Sequence, residues 1–151
     1  NVMYSIQEKL PILRTNFFGI NNIQPVWGSD FENELSRSPM SLNLSRVPHL
    51  KYYSSDRISQ YLGNGSAVFI DYKSKLNDLF NDDEVIFYSS NDELIEKINY
   101  FSKNINEVRN IASNGWKKGH YKYNEKIITN YMLHKAFNSN IDMSWPEVTY
   151  Y

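Results

Sequence analysis

Two features of the sequence suit the holding of an anion. Arg46 follows the alternating run Met40-Ser-Leu-Asn-Leu-Ser45, and after a short loop Ser54-Ser55-Asp56-Arg57 opens a segment with apolar residues at Ile58, Tyr61 and Leu62. The first pattern is that of a strand, and the second is that of a helix with a hydroxyl at its start. An arginine leaving a strand's carboxyl end and the free N–H groups of a helix start would face one crevice, a combination that receives phosphate. The plainer alternative is that Ser54 or Ser55 only caps the helix and Arg46 only pairs with a surface acid. Gly63-Asn64-Gly65 would close the helix, since a left-handed residue costs little there.

Other chemistry has less support. The chain has no cysteine, which excludes a disulfide framework, a thiolate zinc site, an iron–sulfur site and a cysteine nucleophile. His49, His120 and His134 are too scattered for a local metal motif and are read as surface or internally satisfied residues. Asp82-Asp83-Glu84 supplies too few ligands for a hard cation and is read as a solvated turn. No metal site is expected. Tyr52, Tyr53, Trp116 and Tyr121 could stack on bases, but packing is the commoner use of such residues. The sequons Asn43-Leu-Ser45 and Asn64-Gly-Ser66 fall in a strand and a tight turn, and are read as chance.

Composition sets the frame for these residues. The 151 residues suit a single domain, and 41% hydrophobic against 22% charged residues is a globular balance. Sixteen basic residues against 17 acidic ones leave a net charge of −1, without the electrostatic footprint of a general nucleic-acid binder. No run approaches the roughly 20 apolar residues of a membrane span. Asn1-Val-Met-Tyr-Ser5 has neither the basic nor the apolar region of a signal peptide, so a cytoplasmic location is expected. The sequence does not begin with methionine, which leaves open that it is cut from a longer protein.

The elements that would position the site alternate. A helix over 3–11 ends near Pro11, and a strand is expected over 15–19. A short helix over 30–36 is capped by Ser29 or Asp30, and a strand follows over 40–45. After the helix opened by Ser54-Ser55, Ala67-Val-Phe-Ile70 marks a strand buried on both faces, within 66–70. A short helix over 73–80 precedes a strand over 84–88. Ser90-Asn-Asp-Glu93 is a capping box ahead of Leu94, Ile95, Ile98 and Phe101. Asn104 would cap the next helix, which carries Val108, Ile111 and Ala112, and a last helix over 124–137 turns Ile127, Ile128 and Tyr131 inward. This order predicts an α/β fold, a Rossmann-like parallel sheet flanked by helices, in a domain over 1–137 with a tail over 138–151. Ligands of such sheets sit beyond the carboxyl ends of the strands.

Several of these segments, taken in order, are similar to a known family. Ser38-Pro-Met-Ser-Leu-Asn-Leu-Ser-Arg46, Tyr53-Ser-Ser-Asp-Arg-Ile58 and Gly63-Asn-Gly65 resemble the CgeB-like glycosyltransferases, the spore-protein type. Phe18-Gly-Ile-Asn21, Pro25-Val-Trp-Gly28, Glu93-Leu94 and Ile111-Ala-Ser-Asn-Gly115 fit the same pattern, so that it covers about 10–135. The resemblance implies the C-terminal, donor-binding half of a two-domain GT-B glycosyltransferase. Its substrate would be a nucleoside-diphosphate sugar, and it would need no cofactor. An upstream domain would hold the acceptor and usually the catalytic base, so this chain alone is expected not to turn over. Arg46, Ser54, Ser55 and the turn through Asp56 and Arg57 match positions near the diphosphate, with Gly63 and Gly65 beyond them. Gln60 falls where relatives keep a ribose-binding glutamate, and Trp27 and Gly28 near the segment that lines the base. Asp71 would touch the sugar or cap the helix near 73.

Two departures from the family pattern stand out. Many retaining relatives carry two glutamates where this chain has Tyr52 and Gln60, so neither stereochemistry nor a catalytic residue is assigned. No Gly-rich strand and turn precedes residue 3, so the fold's first and normally central strand is missing from the pattern. It either lies outside this sequence or is supplied by something else, such as a second copy. A non-catalytic nucleotide-binding or protein-interaction module on the same fold is the alternative function. The absence of an Asp-x-Asp triplet, the metal-bound donor motif of the other major glycosyltransferase fold, favours a metal-independent class.

Overall fold

Ala67-Val-Phe-Ile70 forms the middle of the sheet, as its unbroken apolar run requires. The computed structural model describes residues 2–45 and 50–138. In it β2 (Ala67–Asp71) lies between β1 (Met40–Asn43) and β3 (Ile86–Tyr88), and both neighbours run parallel to it. Pairing places Met40 beside Ala67 and Asp71 beside Tyr88. The helices are α1 (Val2–Lys9), α2 (Gly28–Ser36), α3 (Asp56–Gly63), α4 (Asn91–Lys103), α5 (Ile105–Lys122) and α6 (Glu125–Ala136). The fold is α/β, with a Rossmann-like parallel sheet flanked by helices.

Alternation along the strands divides the core in two. Ala67, Phe69, Ile86 and Tyr88 face one side, where they meet Ile6, Leu94, Ile95, Ile98, Val108 and Ala112. Val68, Ile70 and Phe87 face the other, against Ile58, Leu62, Leu76 and Phe80. With cover on both sides, every apolar residue of β2 is lost to solvent. The capping box holds α4 as expected, with one change. Ser90 Oγ accepts from the Glu93 amide, while the Glu93 carboxylate reaches back to the amide of Ser89 at 2.8 Å.

Several expectations need correction. The strand over 15–19 does not form. Gly19, at φ +78°, donates to Ile23 O, and Ile23 N–H returns to Ile20 O, so a local turn takes up polar groups that a ladder would need. Phe17 still packs on the core as a side chain, and Asn16 Nδ2 is tied to Glu34 at 3.0 Å. The second helix begins at Gly28 with Trp27 at its N-cap position, so Ser29 and Asp30 lie inside the first turn and cap nothing. The helix over 73–80 is two 3-10 turns, Tyr72–Ser74 and Leu76–Asp78, separated where Lys75 adopts φ +59°. Asn104 does not cap α5 with its side chain; Nδ2 bonds back to Tyr100 O and closes α4 instead. On α6, Ile127 and Tyr131 are half-buried but Ile128 is exposed, so only part of the expected inward face is covered. The tail from 139 onward, together with Arg46 and His49, lies outside the described residues.

Two phenols report on the core. Burial pushes Tyr88 up to about 12, helped by the nearby Asp71 carboxylate, and burial pushes Tyr123 to about 12 beside Glu84. In the unfolded chain both would ionise near 10. Their contribution to stability is therefore complete below pH ~10 and is lost as pH rises towards 12. Ultraviolet titration should show Tyr88→Phe and Tyr123→Phe each removing a late-titrating phenol. Loss of an early-titrating one instead would contradict the packing.

Candidate functional site

The carboxyl ends of all three strands open on one side of the sheet. A linked set of polar groups joins the carboxyl end of β1 to the start of α3. Asn43, the last residue of β1, is 5% exposed and accepts from Ser55 Oγ at 3.2 Å. Ser55 Oγ in turn accepts from Arg57 Nε at 3.3 Å, and Arg57 Nη2 donates to Leu44 O at 2.8 Å.

Ser55 occupies the N-cap position with extended backbone, yet its hydroxyl does not cap α3. Ser54 Oγ donates to Ser55 O and caps nothing either. This corrects the plain capping role, because the buried carboxamide and the guanidinium compete for the hydroxyl. The Ile58 amide uses Ser55 O, whereas the amides of Asp56 and Arg57 receive no side-chain cap. Asp56 places a carboxylate in the first turn of α3.

The structure brings some of the expected site residues together and leaves others apart. Ser54, Ser55, Asp56 and Arg57 form one turn beyond β1. Gln60 is exposed one turn along α3, and its carbonyl accepts from the amide and the side chain of Asn64. Gly63 ends the helix, and Gly65 takes the left-handed value, φ +73°, that the turn into β2 needs. Both glycines therefore lie at the opposite, amino-terminal edge of the sheet. Trp27 and Gly28 start α2, with Trp27 73% exposed, and no hydrogen bond or ring contact among the described residues ties them to the Ser54–Arg57 turn.

The other strand ends carry groups that the sequence reading did not single out or left open. Asp71 resolves to a cap: its carboxylate accepts the Lys73 amide at 2.9 Å. After β3, Lys97 Nζ donates to Phe87 O at 2.6 Å and pairs with Glu93 at 2.8 Å. That ammonium, with the Ser89 amide second, holds the Glu93 carboxyl below its usual range. The Glu93-to-Lys97 spacing signals the ion pair in sequence, but the reach to Phe87 O depends on tertiary packing. Asn43 had a weak signal, a polar residue on the face of β1 opposite Met40 and Leu42.

Tyr52 has moved away from chemistry. Its hydroxyl donates to Asp78 Oδ2 at 2.6 Å and its amide to Ser74 O, with φ at +59°. The loop before α3 is thereby latched to the connection after β2. A groove of about 310 Å³ lined by Pro39, Gly65, Arg109 and Trp116 opens at the amino ends of the strands, away from the Ser54–Arg57 turn. Among the described residues no group of three or more His, Asp or Glu side chains could hold a metal ion. No described helix is long and apolar enough to cross a membrane.

Residues 5–132 match the family described as glycosyl transferase-like. No curated protein matches the chain.

Proposed function

Because the chain belongs to the glycosyl transferase-like family, we propose that it is the nucleotide-sugar-binding half of a GT-B-type glycosyltransferase of the CgeB-like group. The observation that carries this reading is the β1–α3 junction. It lies within the matched span, at the carboxyl end of a parallel strand, where such sheets bind ligands. Arg46, Ser54 and Ser55 are assigned to the diphosphate, with the Asp56–Arg57 start of α3 beside them. Gln60 is assigned to the ribose, and Trp27 with Gly28 to the base. The donor is a nucleoside-diphosphate sugar. The acceptor and the base belong to a partner domain or a second copy, so the chain alone transfers no sugar at enzymatic rates.

Isothermal calorimetry with uridine, guanosine, adenosine and thymidine diphosphates, each with and without a chelator, tests the reading. One of the four should bind, and the chelator should leave its affinity unchanged. Loss of binding with chelator, restored by manganese or magnesium, would overturn the metal-independent class. Absence of binding by all four would overturn the donor-site reading. That last outcome favours the second reading, a non-catalytic interaction module, which the engagement of Tyr52 with Asp78 already supports.

A further inference from the structure

We propose that the groove at the amino ends of the strands is a second binding site, and that it takes a small organic acid, an apolar body carrying a carboxylate. Val108 and Ala112 line it and are also buried in the core, so its apolar surface is fixed by packing. On α5, Arg109, Ser113 and Trp116 follow one another at spacings of four and three, so they share one face of the helix, and all three line the groove. The His120 ring stacks on Trp116 with centroids 4.2 Å apart and steadies the indole. Pro39 and Gly65, which lead into β1 and β2, complete the lining. The volume, about 310 Å³, falls at the lower end of the range for small-ligand sites, about 300–1,000 Å³.

The polar side chains of the lining choose the ligand's chemistry. The Trp116 indole N–H and the Ser113 hydroxyl have no hydrogen-bond partner among the described residues, and Arg109 makes a single long bond, Nη1 to Asn106 Oδ1 at 3.4 Å. An indole and a guanidinium only donate, and a hydroxyl can donate as well. No acid lines the groove, and the chain has no Asp or Glu from Val108 to Asn124. Glu107 does not face Arg109, being two positions away on the helix, and it accepts from Tyr100 Oη at 2.8 Å. An excess of donors and an unpaired cation over an apolar floor complement a carboxylate on a hydrocarbon or aromatic body. A cation would be repelled there, and a neutral apolar molecule would gain only the floor. The inference does not depend on the donor-site reading, because the groove and the Ser54–Arg57 turn lie at opposite edges of the sheet.

The experiment titrates the whole chain with phenylbutyrate, phenylbutanol and phenylbutylamine, which share a body and differ in head group, and follows amide and indole resonances by nuclear magnetic resonance. Phenylbutyrate should shift the Trp116 indole N–H together with the amides of Gly65, Arg109 and Ser113, and leave those of Ser54–Arg57 in place. Phenylbutanol should bind about tenfold more weakly, roughly the loss of one charge-assisted bond, and phenylbutylamine should not bind. Arg109 is exposed, so Arg109→Gln leaves the core intact. That variant should lower the phenylbutyrate affinity about tenfold and keep the phenylbutanol affinity within about twofold. Equal affinity for the acid and the alcohol overturns the proposal and leaves an apolar depression only. Parent-like binding of phenylbutyrate by Arg109→Gln overturns it, as does the absence of shifts at Trp116, Arg109 and Ser113.

Discussion

Gly115→Ala will destabilise the domain by about 1 kcal/mol net, although alanine is the better helix former. Gly115 lies inside α5, where exchange for alanine ordinarily gains about 1 kcal/mol. Here an added Cβ would stand 2.4 Å from Glu84 O and 2.9 Å from Leu62 Cδ2. The leucine can rotate, but the carbonyl belongs to a segment pinned from several directions. Glu84 N–H bonds to Asn81 O, Asn114 Nδ2 holds Asp83 O at 3.1 Å, and Lys118 pairs with the Glu84 carboxylate at 3.2 Å. Overpacking of this kind costs about 1–3 kcal/mol, enough to outweigh the propensity gain. Gly119, one turn further on, gives the opposite sign. Its Cβ would meet Leu62 Cβ at 3.6 Å, an ordinary contact, so Gly119→Ala should be neutral or stabilising by about 0.5–1 kcal/mol. Urea unfolding of the two variants reads the difference directly. Equal midpoints would show that α5 does not approach the start of β3 as closely as the structure has it.

That contact also explains a segment whose meaning the sequence hid. Ile111-Ala-Ser-Asn-Gly115 stood out as a family-like motif, yet it works as a dock: Ala112 enters the core, and Asn114 and Gly115 seat the helix on Asp83 and Glu84. In the acidic turn read as solvated, Asp82 and Asp83 are exposed as expected, but Glu84 turns in and pairs with Lys118 as the other half of that dock. Neither half shows its purpose alone, because the partners lie about thirty positions apart and meet only after the sheet forms. Local patterns were more legible. Continuous burial identified β2 and β3, alternation identified β1, and the order of elements required parallel pairing. The failures share a cause as well. At 15–19 a local turn took the backbone groups that a ladder would need, at Asn104 the side chain closed the preceding helix, and at Ser55 the hydroxyl was drawn away from the cap by Asn43 and Arg57. The candidate site divides in the same way. Its place beyond β1 follows from the order of elements, but the Asn43–Ser55–Arg57 set depends on distances that spacing does not encode.

Arg46→Ala should weaken binding of the chosen nucleoside diphosphate 10- to 100-fold, roughly the effect of losing one charge-assisted bond to phosphate, about 1.5–3 kcal/mol. The sequence puts Arg46 just past the β1 run, three residues beyond Asn43, in a stretch outside the described residues. Its role is therefore argued from charge and order and tested by binding. Three comparisons isolate it. Lys73→Ala and Lys117→Ala remove the same charge elsewhere on the molecule; if either weakens binding as much, the effect is one of net charge and the assignment fails. Ser55→Ala should cost less, since the backbone amides of the turn remain. Gln60→Ala should weaken diphosphate and nucleoside alike, because its proposed contact is with ribose, whereas Arg46→Ala should leave the nucleoside untouched. Added salt should narrow the gap between parent and Arg46→Ala, as screening weakens an ionic contact that water can reach. If calorimetry gives the parent and Arg46→Ala the same diphosphate affinity, the phosphate assignment of Arg46 falls, and the Ser54–Arg57 turn would have to hold the anion without it.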